Sequence, residues 1–298
     1  MSQSNPRGAN PRGAHPGQAA RSTSEGVLRL LFGLFMAVVA IAVLFTSVTG
    51  FAVMTALLIL LAAREWHRLV RSPAMREQAE HQPLHLQTVI TAAAAALAIA
   101  AVLLHQVLAG FAVLALGAVA AFLVARRRGD NPFWHAGGVL YLGIPALAIV
   151  ALRAIPPQGA LIVLGLFLIV WATDTGALVF GKLIGGKRIA PRLSPGKTWA
   201  GTVGGSVTAA LVFGLYIAFF GFNVPAAMLF AFVFSVTAHG GDLFESLVKR
   251  RFNAKDSGAL IPGHGGVLDR MDSLFAAGTV LALLVFGLHL NPMFGGHA

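Results

Sequence analysis

Residues 198–241, TWAGTVGGSVTAALVFGLYIAFFGFNVPAAMLFAFVFSVTAHGG, contain no Asp, Glu, Lys or Arg. A membrane-crossing helix needs about 20 predominantly apolar residues, so this run has room for two, with a turn between 220 and 224. Working outward, similar uncharged runs extend from Leu30 to Ala63, His81 to Ala125, Asn131 to Leu152, Ala154 to Thr173 and Ser273 to Ala298. The whole chain is 57% hydrophobic and 11% charged, with a mean hydropathy of +0.77, whereas soluble domains carry roughly 25% charged residues. The expected architecture is all-α, a polytopic integral membrane protein with about nine transmembrane helices. They are expected near 28–46, 48–63, 88–104, 108–125, 137–153, 159–178, 200–220, 224–241 and 273–290. Ahead of them, residues 1–26, rich in Asn, Pro, Arg, Gly and Ser, read as a disordered cytoplasmic tail, leaving 27–298 as the transmembrane catalytic domain.

Orientation follows from the cations, because short cytoplasmic loops retain Lys and Arg. With the N-terminus cytoplasmic, every basic residue except Arg153 falls in the tail or in loops on one face, and all eleven carboxylates share that face. The C-terminus then lies outside. A net charge of +11 could suggest nucleic acid, but the cations are spread over several loops without interleaved aromatics. Anionic membrane lipid is the expected partner and nucleic acid is not. The chain has no cysteine, which excludes disulfides and thiolate metal sites.

Two polar, glycine-containing segments, Asp174 to Gly205 and Asp242 to Asp272, each follow directly from an apolar span and are expected to form one site. The first carries Lys182, Lys187, Arg188, Arg192 and Lys197, with glycines at 185, 186, 196, 201, 204 and 205. Cations together with close backbone approach suit a polyphosphate. Gly196, Lys197 and Thr198 are not a P-loop: Pro191 stands where that motif needs Gly, and the preceding element is a membrane helix rather than a strand. In the second segment, a helix over Asp242 to Lys249 would put Asp242, Glu245, Ser246 and Lys249 on one face. Asp269 and Asp272 would likewise share one face. Oxygen ligands without paired His or Cys favour Mg²⁺ over Zn²⁺, with Asp242 and Asp269 as the candidate ligands. Asp256 and Asp272 read more simply as salt-bridge partners of Lys255 and Arg270.

The stretch SLVKRRFNAKDSGALIPGHGGVLDRMD, residues 246–272, resembles the signature of the phosphatidate cytidylyltransferases. The matching positions are Ser246, Lys249, Arg250, Lys255, Asp256, His264, Gly265, Gly266, Asp269, Arg270 and Asp272. The resemblance extends through Asp174, Gly176, Ala177, Gly181, Ser194, Pro195, Lys197 and Thr198, and more weakly to Glu65, Trp66, Tyr141 and Gly143. Leu178 and Ala200 depart from the family's pattern, so no role is carried to Ala200.

The resemblance implies transfer of CMP from CTP to phosphatidic acid, giving CDP-diacylglycerol and pyrophosphate, at the cytoplasmic side of a bacterial inner membrane. It implies a catalytic set of Asp242, Asp269, Lys249, Arg250 and Ser246. It implies substrate contacts from Asp174, Ser194, Lys197, Thr198, Lys255, His264, Gly265, Gly266 and Arg270. It also implies Mg²⁺ as cofactor, with K⁺ as a second ion, and a homodimer packed through its helices. The alternative within enzymology is a related CTP-dependent polyprenol or phytol kinase. A lipid or ion transporter is the alternative of another class, and it would hold polar residues near the bilayer midplane in broken helices; here they stand at span ends.

Overall fold

A computed structural model describes residues 31, 33–72, 75, 85–258, 265–288, 290–291 and 296–297. Among the described residues nine helices follow one another: α1 (Gly33–Leu44), α2 (Val48–Leu69), α3 (Leu86–Leu103), α4 (Val107–Arg127), α5 (Pro132–Arg153), α6 (Gly159–Leu183), α7 (Trp199–Ala218), α8 (Val224–Arg251) and α9 (Leu268–Gly287). The eight from α2 to α9 are long and apolar enough to cross a membrane. For the first expected span, 28–46, the described part is the shorter apolar helix α1, and the tail expected over 1–26 lies outside the described residues. One compact unit runs from Ile41 to Ala298, and the residues up to Ala40 form another.

The all-α expectation holds. The exceptions are two short antiparallel ribbons, β1 (Arg188–Ala190) with β2 (Ser194–Thr198), and β3 (Leu290–Asn291) with β4 (Gly296–His297). Helix is the form that satisfies every backbone N–H and C=O within lipid, and polar residues mark its ends. The side chains of Ser47, Thr198 and Asn223 accept from the backbone N–H groups of Gly50, Gly201 and Ala226 at 2.9, 3.0 and 3.0 Å. Arg68, Arg126 and Arg127, and Lys249 to Arg251 occupy the last turns of α2, α4 and α8, where cations complement the helix dipole. Arg153, the cation that stands apart, donates from Nε to the Leu44 carbonyl at 2.8 Å, closing the end of α1.

Five helices run at least five residues past the apolar windows that marked them, α5 beginning at Pro132 rather than 137. α2 continues to Leu69 rather than 63, α6 to Leu183 rather than 178 and α8 to Arg251 rather than 241, while α9 begins at Leu268 rather than 273. These extensions lie at the polar ends of their helices, so much of what reads as polar loop is helix. α5 is the hub, with Leu142, Ala146, Val150 and Leu152 fully buried and packing contacts to α2, α3, α4, α6 and α9. α6 and α7 pack backbone to backbone. A methyl group on Gly205 would sit 2.6 Å from the Thr173 carbonyl oxygen, and one on Gly201 2.8 Å from that of Ala177. Gly201, Gly204 and Gly205, expected to admit a polyphosphate, are therefore helix-packing residues, as small residues commonly are between membrane helices.

Candidate active site

The polar end of α8 supplies the centre of the site. Asp242, Glu245, Ser246 and Lys249 share one face as their spacing requires, and that face meets the start of α9. Lys249 Nζ lies 2.7 Å from Asp269 Oδ1 and 3.4 Å from Glu245 Oε1. One turn back, Asp242 pairs with Lys197 from β2 at 2.5 Å and lies 3.4 Å from the Ser246 hydroxyl. Lys197 also donates to the His239 carbonyl at 3.5 Å, drawing the β1–β2 ribbon over α8.

Asp269 is fixed by backbone as well as by Lys249. Gly266 N–H donates to its Oδ2 at 2.8 Å, and Ser257 N–H reaches both oxygens at 3.3 and 3.2 Å. Gly265 makes this possible by adopting φ +81°, a left-handed conformation open to glycine at little steric cost. The same turn is anchored from across the molecule. Glu65, buried at the polar end of α2, accepts from Val267 N–H at 3.0 Å and Leu268 N–H at 2.8 Å, and lies 3.4 Å from the Ser257 hydroxyl. Its carboxylate thus caps the N-terminus of α9, a position that favours negative charge. Side chains at Gly258 or Gly266 would collide with it.

Asp272 departs from the expectation of a loop salt bridge. It is 6% exposed, accepts from Ser273 N–H at 2.7 Å, and faces Glu245, with Asp242 within electrostatic reach. Glu245 is fully buried, and neither of its oxygens receives a hydrogen bond. Asp174, exposed at the polar end of α6, lies within reach of Asp272, Asp242, Lys197 and Arg270. The Tyr141 hydroxyl, buried and unpartnered, is near the carboxylates of Asp272, Glu245 and Asp242. Trp66, Phe244 and Phe275 hold its ring at centroid distances of 4.9, 5.2 and 6.0 Å.

Of the sequence candidates, Asp174, Lys197, Asp242, Ser246, Lys249, Gly265, Gly266, Asp269 and Arg270 therefore converge. Arg250 lies at the edge, exposed, donating to the Leu193 and Ala254 carbonyls at 3.2 and 3.3 Å, so it braces the ribbon. Ser194 stands on β2, and the Thr198 oxygen is engaged in capping α7. Lys255 and Asp256 are exposed, and among the described residues no ion pair within 4.0 Å joins them, contrary to the salt bridge read from sequence. His264 lies outside the described residues. Sequence reading kept Glu245, Asp272, Tyr141 and Glu65 out of the site set. The spacing of Glu245 from Asp242 and Lys249 was the signal available for the first.

Asp242 and Asp269, the expected metal ligands, are each paired with a lysine, and Asp272 and Glu245 bridge the acidic run from one to the other. Among the described residues no three His, Asp or Glu side chains converge as a metal cage. Mg²⁺ does not require one, since it is usually held by one or two carboxylates with water and phosphate oxygens. The donor chemistry fits a hard cation. Two buried carboxylates facing each other call for a proton or a cation between them.

The helices and this charged cluster define a polytopic integral membrane protein whose polar site is built on helix ends. The chain belongs to the cytidylyltransferase family, which it matches over residues 27–288. It is 47% identical over 154 residues to a phosphatidate cytidylyltransferase of Brucella suis biovar 1, covering 50% of this chain and 56% of that relative. It is 40% identical over 161 residues to one of Rickettsia bellii, covering 51% and 69% respectively, and 40% identical over 149 residues to one of Staphylococcus haemolyticus, covering 49% and 56%. The matched stretch thus spans a little over half the length of the Brucella relative.

Proposed function

We propose that this protein is a phosphatidate cytidylyltransferase of a bacterial inner membrane, with its site facing the cytoplasm. The observation that carries the reading is the merging of Asp174, Asp242, Glu245, Asp269 and Asp272 with Lys197, Lys249 and Arg270 at the polar ends of α6, α8 and α9. The family match and the names of the relatives support it. In the reaction, a phosphate oxygen of phosphatidic acid forms a bond to the α-phosphorus of CTP. The bond from that phosphorus to the bridging oxygen of the β-phosphate breaks, and pyrophosphate leaves with the electron pair. A lipid phosphate at neutral pH needs no base to become a nucleophile, so the chain's task is positioning and electrostatic stabilisation.

Lys197 and Arg270 are placed to bind phosphate oxygens. Lys249 keeps Asp269 and Glu245 compatible with an approaching anion, and the Ser246 hydroxyl is available to donate. The carboxylates outnumber these cations, so a polyphosphate can approach only with added positive charge. Mg²⁺ held by Asp242 and Asp269, with Asp272 and Glu245 behind them, would neutralise the transferring and leaving phosphates; K⁺ is the second ion the reading includes.

The test is purified protein in detergent with phosphatidic acid, labelled CTP and Mg²⁺. CDP-diacylglycerol with equimolar pyrophosphate is expected. Release of CDP with phosphorylation of a lipid alcohol would replace this reading with that of a kinase. Facing is tested separately, because the chain has no cysteine of its own. Cys at the exposed Arg192 and Lys255 should react with an impermeant thiol reagent from the cytoplasmic side, and Cys at the exposed Gln106 from the other. Labelling of the first two from opposite faces would exclude a single site.

A further inference from the structure

A second polar corner, of opposite charge, lies where the end of α2, the end of α4 and the start of α3 meet. Arg64 and Arg68 come from α2, Arg71 from just beyond it, Arg128 from just beyond α4, and His85 from the N-cap position of α3. All four arginines act on His85, whose imidazole is pushed down to about 4 by burial and then by those charges. The floor of the corner is buried: Arg71 is 5% exposed, His85 2%, Gln87 1% and Thr88 0%. It is also unsatisfied. Arg64 Nε, Arg71 Nε, Ser72 Oγ, both ring nitrogens of His85, Gln87 Oε1 and Thr88 Oγ1 are buried without a hydrogen-bond partner. The cap of α3 has no side-chain hydrogen bond, so its first-turn N–H groups have no side-chain acceptor.

The nearby carboxylate is already engaged. Asp130 accepts from Ser72 N–H and Asn131 N–H at 2.9 Å each and from His135 Nε2 at 3.0 Å, and among the described residues no ion pair within 4.0 Å joins it to Arg71. Retention of cations on one side of a membrane explains arginines at an interface. It does not explain guanidinium and imidazole nitrogens withdrawn from water with no acceptor, since buried polar groups are ordinarily paired. A helix start, planar guanidinium forks and hydroxyls together make up a phosphate-binding set.

We infer that this corner binds a phosphate-type oxyanion, either the headgroup of an anionic lipid or free phosphate. Arg64, Arg71 and the first turn of α3 are its floor, and the exposed Arg68 and Arg128 are its rim. It shares no residue with the acidic cluster and does not depend on the cytidylyltransferase reading.

The experiment is calorimetric binding to the full chain in detergent, with sodium phosphate and short-chain phosphatidylglycerol as separate probes. Binding of the lipid alone identifies a headgroup, and binding of both identifies the phosphate group itself; either supports the site. Arg71→Ala should weaken binding by tenfold or more, in line with loss of about one charge-assisted hydrogen bond. Because that variant removes a buried side chain, the double variant Arg68→Ala/Arg128→Ala, exposed and harmless to folding, is measured beside it and should weaken binding about tenfold. Unchanged binding in the double variant overturns the inference. So does a wild-type protein that takes neither probe.

Discussion

Two buried polar networks in this molecule are built from similar parts and end in opposite states. The first joins α2, α3 and α5: Thr91 Oγ1 lies 2.7 Å from His67 Nε2, His67 Nδ1 2.7 Å from His135 Nδ1, and His135 Nε2 3.0 Å from Asp130 Oδ2. One assignment satisfies all of it. Thr91 can donate to His67, His67 from Nδ1 to His135, and His135 from Nε2 to Asp130, so that each contact joins a donor to an acceptor. The second network, Glu245 and Asp272 with Asp242 and Asp269, has carboxylate facing carboxylate, and neither Glu245 oxygen receives a hydrogen bond. A polar network fully paired within the chain acts as a rigid tie, whereas one left short of donors is completed by what it binds.

The largest effect should come from the incomplete network. Asp242→Asn and Asp269→Asn should each lower turnover at least about 10²-fold, comparable to loss of one oxyanion donor, and raise the Mg²⁺ requirement, while Asp256→Asn should do far less. Near-normal Mg²⁺ titrations for the first two with a dead Asp256→Asn would reverse the assignment. Glu245→Gln sharpens the contrast: it should lower turnover without lowering the unfolding midpoint, because it relieves the repulsion between two buried carboxylates while keeping the side chain's shape.

The closed network should respond the other way. His135→Ala strands His67 and Asp130 in the interior and should cost about 3 kcal/mol of stability, read from unfolding in detergent, with activity per folded molecule within a few fold. Burial opposes ionisation of Asp130, but hydrogen bonds from His135, Ser72 and Asn131 outweigh it and hold the carboxyl down at about 2. A depressed carboxyl contributes its stability fully above the ordinary carboxylate pKa and loses it as pH falls through about 2. Melting between pH 5 and 8 should therefore be insensitive to the Asp130 carboxyl, and a transition within that range abolished by Asp130→Asn would contradict its depressed pKa.

Glu65 links structure to site and should fall between the two. Glu65→Ala removes the cap of α9 and should cost about 1–2 kcal/mol while raising the Mg²⁺ concentration for half-maximal activity, because the turn that orients Asp269 loosens. Glu65→Gln keeps one of the two acceptor oxygens but sets an amide NH2 against a backbone N–H, so it should recover only part of the metal response; full recovery would make a single acceptor sufficient for the cap. The smallest effect is expected from the N-terminal tail, whose arginines can add at most about 1 kcal/mol each of attraction to anionic lipid. Deleting residues 2–20 should leave turnover within a few fold, and a collapse in correctly inserted protein would contradict that reading of the tail.

The sequence by itself determined the helical class, the approximate place of the spans and the face of α8 that carries Asp242, Glu245, Ser246 and Lys249. Those properties are local: length, apolarity and a 3.6-residue period decide them. Hydropathy could not show where α2, α6, α8 and α9 stop, because a helix no longer needs apolar side chains once it leaves the hydrocarbon, and Lys249 to Arg251 look like loop by composition while serving as a last helical turn. Asp272 looked like a partner of its neighbour Arg270 because sequence shows adjacent charges and not the Glu245 side chain it meets across the helix pair. The glycines of α7 looked like phosphate contacts because the same small residue permits close approach to a ligand or to another backbone, and only the packing against α6 chose between them. The His67–His135 contact and the capping of α9 by Glu65 join residues 68 and about 200 positions apart. Pairings at that separation are decided by which helices pack together, a property of the tertiary structure that no local pattern in the chain encodes.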